Sequence, residues 1–215
     1  MAIDSVIEKF KESYLSADWK SAQEILIKNK DLFDRGIFHY NLGTVLYKEG
    51  DFPAARFHFE KAKINGYFTS ETNHNLFAVK EKLKTEVYEK PVNSEGRLYY
   101  ELNAIPGDLY ITMTLLCLIC LFSLRKYVQK YFFLILFLLS FTPVVVKYYY
   151  QDRIQPAIAL KELEVFEGPS EIFSQSNTVP AGIKVMIGKE KDSWYYIEYP
   201  LQYSGWIQRQ KLGIL

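Results

Sequence analysis

Cysteine is nearly missing. The 215-residue chain has two, Cys117 and Cys120, both inside an apolar run, which excludes a disulfide framework and a four-cysteine zinc site. Cys-Leu-Ile-Cys matches CxxC in letters only, and the two side chains read as small apolar fillers of a helix. Histidine is scarce as well. His39, His58 and His74 form no HExxH pair and no mixed His/Cys cluster. No GxSxG elbow, phosphate-binding glycine loop or cysteine nucleophile appears. A net charge of +1 is too small to suggest nucleic acid. The expectation is a protein with no catalytic residue, no metal and no cofactor, and so no enzyme. Acidic residues vanish altogether between Leu109 and Val146, where the only charges are Arg125, Lys126 and Lys130.

That gap points to what is present. A mean hydropathy of −0.10 averages one strongly apolar segment with two polar ones. Leu109–Leu124 supplies 16 residues and Tyr127–Val146 supplies 20, against about 20 for one helical crossing of a bilayer. The two runs predict a transmembrane hairpin over 109–146, turning at a basic loop, 125–130. Tyr110 and Tyr148–Tyr150 flank one end, Tyr127 and Tyr131 the other, as interfacial belts do. Pro143 lies near the end of the second run, where a lost hydrogen bond costs least. A hairpin leaves both termini on one side. Arg125, Lys126 and Lys130 then act as topology determinants, and the positive-inside rule puts them in the cytoplasm. The expected location is a bacterial inner membrane with both polar parts in the periplasm. Residues 1–20 carry charges throughout and do not read as a signal peptide, which favours the alternative, both parts cytoplasmic.

The chain thus reads as a multidomain membrane protein: a helical domain over 1–90, a linker over 91–108, the hairpin, a linker over 147–157, and a C-terminal domain over 158–215. In the first domain, "NLGTVLYKEGDFPAARFHFEKA" (41–62) places Leu42, Gly43, Leu46, Gly50, Ala55, Phe59 and Ala62 at a spacing that resembles the tetratricopeptide repeat. Helix A is expected over Ile37–Lys48 and helix B over Pro53–Asn65. Asp18, Trp19, Ala22 and Leu26 form a degraded copy 33 residues upstream of Asp51, Phe52, Ala55 and Phe59. The charged helix over "ETNHNLFAVKEKLKTEVYEK" closes the stack. Such a scaffold implies a peptide groove lined by Tyr40, Asn41, Thr44, Tyr47, His74 and Asn75.

From Ile158 the apolar residues alternate in short runs punctuated by glycine and proline, which predicts a small all-β barrel. "GPS" (168–170), "AGIKVMI" (181–187), "DSWYYIEY" (192–199) and "GWI" (205–207) resemble the bacterial SH3-like domain. That resemblance implies peptide binding, with Tyr195, Tyr196, Tyr199 and Trp206 as surface candidates.

The order of parts (repeats, basic-looped hairpin, SH3-like module) resembles the BatE-like proteins of the Bacteroides aerotolerance operon family. The resemblance implies a membrane-anchored, non-catalytic scaffold in aerotolerance or envelope stress. Its implied partners are membrane proteins with von Willebrand A domains and a MoxR-type AAA+ ATPase. The alternative is a peptidoglycan-binding or targeting subunit of a cell-envelope enzyme.

Overall fold

The computed structural model describes residues 2–89, 98, 101–102, 105, 107–150 and 154–215. The chain divides into two compact units. One comprises Met1–Lys90 together with Pro156–Leu215, the other Pro91–Gln155.

The helical part of the first unit begins with α1 (Ala2–Leu15) and α2 (Trp19–Lys28), followed by α3 (Arg35–Glu49) and α4 (Phe52–Ile64). The two turns are built alike. Gly50 ends α3 in the left-handed region at φ 93°, and Ala17 takes the same region at φ 58° after α1. Each is followed by an aspartate that caps the next helix: Asp18 accepts from the Ser21 N–H and Asp51 from the Ala54 N–H, both at 3.1 Å. A helix begun this way has one of its orphan donors satisfied. Pro53 fits the first turn of α4, where no donor is missed. Thr69 caps α5 (Ser70–Lys82), and a left-handed Lys84 separates it from the single turn α6 (Thr85–Tyr88). Ala22, Leu26, Leu42, Val45, Leu46, Ala55, Phe59, Leu76 and Val79 form the buried core. Gly43 is small because the Phe59 ring occupies the space a Cβ would need.

The C-terminal part is one seven-stranded antiparallel sheet, ordered β3-β2-β6-β5-β4-β1-β7. Its strands are β1 (Gln155–Ala159), β2 (Leu163–Phe166), β3 (Gln175–Val179), β4 (Lys184–Lys191), β5 (Trp194–Tyr199), β6 (Gly205–Gln208) and β7 (Leu212–Ile214). The expected barrel is not closed, because β3 and β7 stand at opposite edges of this order and do not pair. The three-residue β7 adds on β1, and its Gly213 lies against the ring of Phe57 from α4. Leu163, Val165, Val179, Ile183, Val185, Ile187, Ile197 and Ile207 fill the core.

Helices and sheet are not independent bodies. Tyr88 of α6 packs on the sheet core, and its carbonyl accepts from Gln202 Nε2 at 2.8 Å. Arg56 of α4 is wholly buried. Its guanidinium is held by the Glu89 carboxylate and donates to the Gly182 carbonyl at 2.7 Å. Glu89 also accepts from the Lys184 N–H at 2.6 Å, and Lys184 Nζ reaches Glu60 Oε2 at 3.4 Å. The fully buried Arg56 is thereby paired through its two terminal nitrogens with groups from both segments, as a buried charge must be, while its Nε is left without a partner among the described residues. Burial pushes the Glu60 carboxyl up, yet Lys184, Arg56 and Lys80 together hold it below its ordinary value.

In the second unit, α7 (Gly107–Ser123) and α8 (Lys130–Leu139) with α9 (Thr142–Tyr150) carry the apolar runs. Lys130–Tyr149 is a 20-residue stretch long and apolar enough to cross a membrane; Gly107–Ser123 is shorter. Of the expected pair of spans, only one therefore has the length and apolarity of a crossing among the described residues. The step between α8 and α9 has a local cause. Pro143 has no N–H for the Leu139 carbonyl, and Thr142 Oγ1 donates to that oxygen instead, at 2.6 Å. Phe122 of α7 lies edge-on to Phe133 and Phe137 of α8, at 5.7 and 6.5 Å between centroids.

Candidate interaction surfaces

Three of the six groove candidates meet. Asp34 fixes the start of α3 by accepting from the Gly36 and Ile37 N–H groups, which sets Tyr40 on its second turn. The Tyr40 ring stacks 5.1 Å from Tyr67 and 6.1 Å from Phe59. Burial pushes its hydroxyl up from the ordinary value, with Thr44 and Asn75 beside it. Thr44 Oγ1 donates to the Tyr40 carbonyl at 2.9 Å, an intrahelical bond. Tyr47 faces elsewhere, edge-on to Phe52 at 5.5 Å and packed on the core. Asn41 is half-buried, and His74 is exposed. Tyr40, Tyr67 and Asn75, all half-buried, thus gather at one place.

On the sheet, period-two alternation separates the aromatics. Tyr195 and Tyr199 fall on the face of Ile197 and are 7% and 3% exposed, so neither ring is offered at the surface. Tyr196 and Trp206 pair across β5 and β6 on the other face, 5.5 Å apart, with Lys189 Nζ 5.5 Å from the Tyr196 ring. Phe166 pairs with Trp206 from β2. Three half-buried rings, Phe166, Trp206 and Tyr196, thus form an aromatic row flanked by the exposed Lys189.

Two features carry no motif. His39 and His58, on α3 and α4, meet at 2.8 Å between Nδ1 atoms. Burial, then the neighbouring His39 and Lys61, depress His58 to about 3, and burial, then Lys61, also lowers His39, which favours two neutral rings bridged by one N–H. The Arg56 cluster was equally unannounced. Its one local sign is the i,i+4 pair Arg56 and Glu60, with Arg56 among the otherwise apolar buried positions Ala55, Phe59 and Ala62 of its helix. Glu89 and Gly182 are too distant in sequence to suggest themselves. Among the described residues no group of three or more His, Cys, Asp or Glu converges as a metal site would.

The loop residues Arg125, Lys126 and Lys130 are exposed, as are Tyr127 and Tyr131 at 85% and 82%. Comparison with protein-family models, curated proteins and solved structures finds no match.

Proposed function

We propose that this protein is a membrane-anchored, non-catalytic scaffold whose helical and sheet segments present protein-binding surfaces on one side of a bilayer. The observation that carries it is the shared unit. Residues preceding and following the apolar segment are clamped together through buried Arg56. A chain that leaves and rejoins one folded unit crosses a membrane an even number of times. If Lys130–Tyr149 spans, a second crossing is required, and Gly107–Ser123 supplies it: 17 residues rise about 26 Å, enough for a short span. The loop Leu124–Gln129 then lies on the opposite face. Arg125 and Lys126 within it, and Lys130 at the start of α8, put it in the cytoplasm, and both segments in the periplasm of a bacterial inner membrane.

The partners follow from the resemblance to BatE-like proteins: von Willebrand A membrane proteins and a MoxR-type ATPase. Crosslinking the tagged full chain in membranes, then purifying it in detergent, tests this. Enrichment of those two protein classes, lost on Tyr196→Ala with Trp206→Ala, is expected. Their absence from the crosslinked material would refute the assignment. A second reading, peptidoglycan targeting, draws on the aromatic row Phe166–Trp206–Tyr196. Retention of the protein by purified wall sacculi would favour it.

A further inference from the structure

We infer that the hollow beside the basic loop is a binding site for an anionic phospholipid. This rests on the membrane reading of residues 107–150. The hollow measures about 630 Å³ and is lined by Phe122, Arg125, Lys130, Tyr131, Phe133 and Leu134, within the range of small-ligand sites.

Its composition is divided. Its lining joins two cations, Arg125 and Lys130, and the Tyr131 ring to the apolar Phe122 and Leu134, 54% and 57% exposed. Arg125, Lys126 and Lys130 have no anionic partner among the described residues, and the acid nearest in sequence is Asp108. Arg125 and Lys130, both lining the hollow, are thus free to take an anion from outside the chain. A phosphodiester suits them, because the planar guanidinium of Arg125 can take two phosphate oxygens at once while Lys130 adds a point charge. A soluble phosphate would satisfy the cations and leave the apolar wall bare. A diacyl lipid covers both, its headgroup on Arg125 and Lys130 and its chains along Phe122, Phe133 and Leu134. Basic pockets where helices leave the bilayer take anionic headgroups for this reason.

The test uses the purified full chain in mild detergent, titrated with phosphatidylglycerol or phosphatidylcholine of equal chain length, with bound lipid counted by native mass spectrometry. Phosphatidylglycerol should be retained preferentially. Each cation removed, as Arg125→Gln or Lys130→Gln, should weaken retention about fivefold. Arg125→Lys should lose less, and Lys147→Gln nothing. Equal retention of the two lipids, or no change in Arg125→Gln/Lys130→Gln, overturns the site. So does displacement by millimolar inorganic phosphate, which would mark a plain anion site. A protein that stays dispersed without detergent refutes the membrane reading instead.

Discussion

Replacing Arg56 by alanine should loosen the sheet from the helices. The side chain is fully buried, and its guanidinium binds Glu89 and the Gly182 carbonyl while standing 3.8 Å from Glu60. Alanine removes the cation and leaves two carboxylates, 13% and 14% exposed, facing a cavity and the remaining Lys184. Breaking a buried pair on one side costs about 3–5 kcal/mol. For a unit of this size each kcal/mol moves the melting midpoint by about 2–4 °C, so a fall of about 6–20 °C is expected. Tryptophan emission during thermal unfolding in detergent reads it, since Trp19 reports on α2 while Trp194 and Trp206 report on the sheet. In a Trp19→Phe background the sheet should melt early and alone. Arg56→Met with Glu89→Gln, which removes both charges but keeps an acceptor for the Lys184 N–H, should recover much of the loss. A midpoint for Arg56→Ala within 2 °C of the parent would refute the clamp, taking about 2 °C as the shift expected from less than 1 kcal/mol.

The buried His58 makes stability fall with acid. An unfolded imidazole accepts its proton near 6.5, whereas the folded one resists down to about 3, so the unfolded state binds more protons between those values and the midpoint should drop across them. His58→Gln should flatten this limb, and an unchanged limb would contradict the assignment. Glu60 acts at lower pH: its folded carboxyl titrates below the ordinary value, so its contribution is complete above about 4.5 and disappears as pH falls further. Gly182→Ala should cost at least about 1–2 kcal/mol of left-handed strain; the new Cβ would also lie 2.5 Å from Leu83 Cδ2, and denaturant melts measure the sum. The full chain should resist a carbonate wash of membranes, and its release into the soluble fraction would remove the anchor.

Much of the fold was legible because it is local. Asp18 and Asp51 begin helices after a left-handed residue, and the 33-residue offset between them is a repeat of turn geometry that survives Ala17 standing for Gly50. Alternation in β5 foretold one buried and one half-buried face, although which tyrosines fell inside depended on register with β4 and β6. Sheet closure was not legible, since a three-residue β7 that pairs with β1 rather than β3 leaves no mark in periodicity. Two separately folding soluble pieces were the natural reading of a chain split by an apolar segment. The clamp that joins them depends on Arg56, Glu89, Gly182 and Lys184, which span well over a hundred residues and belong to no motif. Tyr40 and Asn75 come together as adjacent helices of a stack should, while Tyr47 is drawn to Phe52 by packing that a lining pattern does not encode.

The account stands on two polar segments sharing one side of a membrane with the basic loop on the other. Single cysteines at Lys48, Gln129 and Lys191, in a chain with Cys117 and Cys120 replaced by alanine, measure this with an impermeant thiol reagent on intact spheroplasts. Lys48 and Lys191 are exposed, in α3 and β4, and Gln129 lies exposed in the loop. The account predicts labelling at positions 48 and 191 and protection at 129 until the membrane is opened. Opposite behaviour of positions 48 and 191, or of 129 matching them, would contradict it.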